Sequence, residues 1–165
     1  MRKRLTSTIR KTEPGMDRDW LDLEHAAQVE VTSEAQGYPV EGALLHQGER
    51  GWRANMPGPQ TIRLLFDSPQ TIRVIRLLFK EEEVPRTQEF VLRWLPYGGD
   101  WKDVVRQQWN FSPPTTVYED EEYRVELVAA TVLELSINPG TSRNARASLE
   151  RLQLSVTSQS QITHR

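Results

Sequence analysis

Between Gly58 and Glu83 the chain writes nearly the same strand twice. Pro59-Gln-Thr-Ile-Arg-Leu-Leu-Phe66 is followed by Pro69-Gln-Thr-Ile-Arg73 and Arg76-Leu-Leu-Phe79. In the first copy Ile62, Leu64 and Phe66 fall on one face and Arg63 on the other, the period of a half-buried strand. In the second copy Ile72, Val74 and Leu78 share one face, and Arg73, Ile75, Leu77 and Phe79 the other. That strand is apolar on both sides towards its end, as a central, covered strand is. The echo does not recur downstream, so no solenoid period is present. The short "DSPQ" between the copies reads as a linker joining neighbouring strands.

Period two continues along the chain. Phe90, Leu92 and Trp94 align in "QEFVLRWL". Leu133, Leu135 and Ile137 align in "RVELVAATVLELSI", which is interrupted near Ala129-Ala130. Leu152, Leu154 and Val156 align near the end. Pro and Gly punctuate between these segments, and no stretch of twelve or more residues holds a helical period. Many short strands with regular turn signals predict an all-β sandwich or barrel. The predicted core is Ile62, Leu64, Ile72, Val74, Leu92, Leu133, Leu135, Leu152 and Leu154. Residues 1–24 read as an arm with a short helical piece over Asp17–Leu23, residues 25–157 as one domain, and residues 158–165 as a flexible tail.

Composition narrows function by exclusion. The 165 residues contain no cysteine, which removes disulfides, thiol catalysis and thiolate metal sites. A net charge of −2 argues against nucleic acid as a general ligand. No apolar run reaches the ~20 residues of a membrane helix. The basic start lacks an apolar signal core, so the expected location is the cytoplasm for a complete chain, and secretion only for a domain excised from a larger protein. His25, His46 and His164 lack metal-ligand spacing. The acidic runs Glu81–Glu83 and Glu119–Glu122 read as solvated loops. No nucleophile motif or phosphate loop occurs, so an enzyme is not expected.

From roughly Ala26 to Val156, about four-fifths of the chain, ordered segments resemble a discoidin domain of the coagulation-factor C-domain type. The first is "VTSEAQGYPVEGALLHQGERGWRA", with Tyr38-Pro39, Ala43 and Trp52 in place. The strand pair "QTIRLLFDSPQTIRVIRL" and the hairpin "FVLRWLPYGGDWKDV", with Gly98, Trp101 and Val104, follow. "VLELSINPG" and "ASLERLQLSV" close the pattern. The resemblance implies a galactose-binding-like β-sandwich jelly roll with Trp52 and Trp101 in its core. Alternation adds Trp94 to that core and leaves Trp109 open. The family's Asp-Gly stands here as Leu45-His46, its glutamate before the last strand as Arg151 beside Glu150, and its penultimate-strand arginine as Glu134. Loss of two carboxylate positions argues against the structural calcium of sugar-binding relatives.

The resemblance also implies recognition by loops at one end of the sandwich. Aromatic faces and planar donors there suit hydroxyl-rich ligands. Loop candidates are Tyr38, His46, Arg50, Arg53 and Asn55, then Arg86 and Tyr97, then Arg143, Asn144 and Arg146. The expected ligand-binding set is Tyr38, His46, Arg53, Asn55, Arg86, Tyr97, Arg143 and Asn144, without metal. Two functions remain open. One is a non-catalytic carbohydrate-binding module, marked by an aromatic flanked by Arg, Asn or His in a concave pocket. The other is an intracellular protein-interaction scaffold, marked by a flat apolar patch.

Overall fold

The computed structural model describes residues 19–45 and 50–157. In chain order these form helix α1 (Leu23–Ala26), strand β1 (Ala27–Val31), helix α2 (Glu41–Leu44) and strand β2 (Trp52–Arg53). Strands β3 (Gln60–Lys80), β4 (Arg86–Pro96), β5 (Lys102–Phe111), β6 (Tyr118–Asn138), β7 (Ser148–Leu149) and β8 (Arg151–Ser155) follow.

The two halves of the sequence echo are one continuous strand. β3 and β6 are each 21 residues long and pair antiparallel on both sides of an interruption, with the register slipping between Leu65 and Val74. Gln60 pairs with Ile137 at one end of that ladder and Lys80 with Tyr118 at the other. Yet Arg86 reaches both regions, with its guanidinium on Glu81 and on the carbonyl of Pro139. The strand pair therefore folds back on itself. Asp67, Ser68 and Pro69 are exposed and unpaired at the corner, where a proline costs no ladder hydrogen bond. "DSPQ" is thus a corner within one strand rather than a linker between neighbours. On β6 the corner is Ala129, at φ 56°, whose N–H donates to Thr71 Oγ1 at 3.2 Å.

Folding over creates two layers. The first half of β3 and the second half of β6 join β1, β4 and β5 in the order β1-β3-β6-β4-β5. The second half of β3 pairs with β8 on one side and the first half of β6 on the other. Inward residues of both layers form one core. Phe79 and Phe90 join the layers with ring centroids 5.1 Å apart. This is an all-β antiparallel sandwich, and the nine predicted core residues are all at 3% exposure or less. Trp52 and Trp94 are buried, and Trp109 is half-buried against the core.

The N-terminal side packs closer than the expected arm. Leu21 N–H donates to Leu154 O at 2.7 Å, Trp20 bridges Ser155, and Leu23 is buried. Within the described residues the helix lies at Leu23–Ala26 rather than over Asp17–Leu23. No helix among the described residues is long and apolar enough to cross a membrane.

Two further expectations are corrected. Trp101 is exposed. Its ring lies over Arg93 at 4.5 Å and Arg63 at 5.9 Å on the outer face of the larger layer. Those arginines pinch Glu134, which takes Arg93 Nε and Arg63 Nε on separate oxygens at 3.0 Å each. Glu30, Arg63, Glu134, Arg93 and Asp103 lie in register across five strands, alternating in sign. Burial pushes the Glu134 carboxyl up, but the two guanidiniums together hold it below the usual carboxylate range.

The acidic run at Glu119–Glu122 is not a loop but the start of β6. Its alternation turns Glu119 inward, with no exposed surface, while Asp120 faces out to Arg76 at 3.0 Å. Gln88 Nε2 donates to Glu119 Oε1 at 3.4 Å. Burial first, and then the neighbouring Glu121, push the Glu119 carboxyl up to about 8.

Trp52→Ala should cost about 3–5 kcal/mol and Trp101→Ala less than ~1 kcal/mol in chemical denaturation. A Trp101 variant as damaged as the Trp52 variant would contradict the outer-face placement. Glu119 gives a pH prediction. From pH ~5 to about 8 the folded protein holds this proton and the unfolded chain releases it. Stability should therefore fall, by up to about 4 kcal/mol, as pH rises through that window, and level off above it. Glu119→Gln should flatten the slope; an equally steep variant curve would assign it to another group.

Candidate functional site

The site is built on four residues, Arg50-Gly51-Trp52-Arg53. The Trp52 ring is buried, and its Nε1–H donates to Ser33 O at 2.8 Å. Ser33 and Thr32 in turn donate their hydroxyls to buried Gln60 Oε1 at 2.8 and 2.6 Å. Arg53 N–H donates to Tyr38 O at 3.3 Å, and Arg53 O accepts from Ala35 N–H at 2.8 Å. Two glycines permit this packing. A Cβ on Gly42 would lie 1.9 Å from Arg50 O, and one on Gly51 would lie 2.4 Å from Leu149 O. β2 pairs with β7, which sets Arg53 opposite Ser148.

The result is a cleft of about 230 Å³. Its walls carry Tyr38, Arg50, Arg53, Lys80, Glu82, Ser148 and Glu150. The Arg53 guanidinium lies over the Tyr38 ring at 4.8 Å and that of Arg50 at 5.2 Å. Neither guanidinium has an ion pair or hydrogen bond among the described residues. Lys80 is paired with Glu82 at 3.7 Å. The Ser148 hydroxyl donates to Lys80 O at 3.2 Å.

Of the expected binding set, Tyr38 and Arg53 meet in this cleft. Asn55 is exposed just beyond Arg53, with its N–H on Ser33 Oγ at 3.2 Å. Arg143 and Asn144 are exposed in the loop before Ser148 and do not line the cleft. His46 lies outside the described residues. Arg86 is corrected from a loop residue to an internal one. Its guanidinium is fixed by Glu81 Oε1 at 2.7 Å, Gln88 Oε1 at 2.9 Å and the Phe111 ring at 4.9 Å. Glu81 also accepts the N–H groups of Glu83 and Val84, so Arg86 braces the loop that carries Glu82. Tyr97 is not brought to the cleft. It is exposed in the turn after β4, eleven residues from Arg86, which at ~3.3 Å per residue places it at the corner end, roughly 30 Å away. Arg50 completes the cleft although the expected set omits it; its spacing of three from Arg53 across Gly-Trp is the signal.

The fold is shared with solved structures, while no family model matches the sequence and no curated protein matches it. A carbohydrate-binding module from a family 31 glycoside hydrolase of Clostridium perfringens superposes with TM-score 0.59. The two are 18% identical over 84% of this chain and 95% of that one. Another Clostridium perfringens module, in complex with GalNAc-β-1,3-galactose, gives TM-score 0.61 at 16% identity over 83% and 99%. A pectin-binding module gives 0.55 at 17% identity over 81% and 93%. The chain shares the discoidin-like β-sandwich jelly-roll fold of these modules. Those structural neighbours are carbohydrate-binding modules.

Calcium, which the discoidin-like resemblance raises, does not fit the donors here. Glu82 and Glu150 supply two carboxylates to the cleft, but Glu82 is paired with Lys80, and Arg50 and Arg53 stand beside them. Leu45 offers no side-chain oxygen, and Arg151 is a cation where a ligand is needed. Calcium takes several oxygens and is repelled by such a surround. Melting curves in calcium and in chelator should coincide, because only an ion bound to the native state raises stability. A calcium-dependent rise of several degrees would overturn this reading.

Proposed function

We propose that the chain is a non-catalytic carbohydrate-binding module that takes its ligand in the cleft around Tyr38. The observation that carries this is an aromatic ring flanked by two guanidiniums, unmated among the described residues, in a concavity at the loop end of the sandwich. Arginine donors and a ring of this kind recognise hydroxyl-rich ligands. Structural neighbours of the same fold are described in complex with galactose and with GalNAc-β-1,3-galactose, which supports the class of ligand. The cleft's hydroxyl and carboxylates are not arranged for catalysis. Ser148 is committed to a backbone carbonyl, and Glu82 is mostly exposed and paired with Lys80.

Glycan-array screening followed by titration at high ligand concentration tests the reading. Tyr38→Ala and Arg53→Ala should each weaken binding about tenfold or more, with melting temperatures within ~2 °C of the parent. Tyr97→Ala, at the far end, should bind as the parent does. A site that survives both cleft substitutions lies elsewhere. A chain that binds no glycan but retains a protein partner in a pull-down is a scaffold module instead.

A further inference from the structure

The molecule contains two constellations of the same parts. On the outer face of the larger layer, Arg63 and Arg93 flank the Trp101 ring, and their guanidiniums close on the carboxylate of Glu134. In the cleft, Arg50 and Arg53 flank the Tyr38 ring, and no carboxylate among the described residues closes on them. Glu82 is paired with Lys80, and no ion pair joins Glu150 to either arginine. Arg124, Arg143, Arg146 and Arg151 also lack ion pairs among the described residues, but they are exposed on strands or loops and stack on no ring among them. Resting on the carbohydrate-binding reading, we infer that the cleft selects sugars that carry an anionic group, a carboxylate or a sulfate, and that Arg50 and Arg53 are its donors.

Three features support the inference. Stacking on Tyr38 restrains both side chains before a ligand arrives, which lowers the ordering cost of binding. A guanidinium held over a ring rather than in an ion pair keeps its N–H fork free, and that fork matches the paired oxygens of a carboxylate or sulfate. The cleft carries three cations against two carboxylates, although the whole chain has net charge −2. Attraction is thus local to the cleft and not a property of the overall field. At about 230 Å³ it is smaller than the ~300–1,000 Å³ of drug-sized sites and suits a single charged ring of a chain.

The full chain is titrated with trigalacturonate, its full methyl ester, a sulfated galactose disaccharide, galactose, and sodium acetate and sulfate alone. The acid form should bind about tenfold or more tightly than its ester, which has the same ring and no charge. Arg50→Gln and Arg53→Gln should each remove most of that preference, and Arg53→Lys should restore part of it. The uronate and sulfated arms separate the two anion sources. Equal binding of acid and ester, or a preference that persists in the double Gln variant, overturns the inference. Binding of neutral sugars alone overturns it and leaves the module reading standing. Binding of no sugar overturns both. Acetate or sulfate binding as tightly as the uronate overturns it in favour of a plain anion site. Should the variants fail to fold, the acid-to-ester ratio of the parent protein decides.

Discussion

The hydrogen bond from Ala129 N–H to Thr71 Oγ1 sits where two 21-residue strands turn back together. Laid straight, strands of that length would run to roughly 70 Å and leave both faces in water. Turning at the corner brings Ile62 and Leu64 from one half of β3 into the same core as Ile75, Leu77 and Phe79 from the other. The corner needs a residue at positive φ within a strand, which costs about 1–2 kcal/mol for anything but glycine. Alanine carries the smallest Cβ that can bear it. Burial of a single Leu or Ile side chain is worth about as much, so the core gained outweighs the strain. The same turn sets the site. It brings both ends of β3 to one end of the molecule. The Gln60 network that holds Trp52 and the Lys80 carbonyl that holds Ser148 then serve one cleft.

Alternation made the core legible, because each buried position announces itself two residues from the next. The Ala129-Ala130 interruption was visible for the same reason: two small residues break a run of β-branched and leucine side chains. Continuity of β3 was not visible. Asp, Ser and Pro serve equally at a hairpin and at a corner, and only the partner strand, about 60 to 70 residues away, distinguishes them. The acidic start of β6 gave no signal, since period two is read from apolar positions and Glu119 and Glu121 put acids on the inward face. Trp101 follows a Gly-Gly-Asp turn, and no neighbouring period fixes its side. The arginines it meets are aligned by Glu134, more than 30 residues on.

The candidate site was legible in its residue types and not in its geometry. Tyr38 and Tyr97 both stand at chain reversals, but a reversal carries no label for the end of the sandwich it occupies. The length of β4 supplies that label. Arg86 sits in "VPRTQ", which reads as polar surface. Its burial depends on Glu81, Gln88 and the Pro139 carbonyl, which meet only once three segments are packed. Arg50 and Arg53 read as two more exposed cations until Gly51 and Trp52 are fixed against β7 and Ser33.

The difference between the two arginine constellations is one of solvent. Glu134 is almost fully covered, so its charge requires partners within the fold, and removing either arginine would leave a buried carboxylate underserved. Arg50 is exposed and Arg53 half-buried, so water satisfies their donors at little cost while the cleft is open. That balance changes when a ligand displaces the water. Each N–H then needs an acceptor, and an unmatched donor carries a desolvation penalty of about 1–3 kcal/mol. A hydroxyl presents one oxygen to a fork built for two, whereas a carboxylate or sulfate meets both tines and brings the opposite charge. On the proposed reading, the specificity of the cleft would follow less from what its arginines attract in water than from what they refuse once dry.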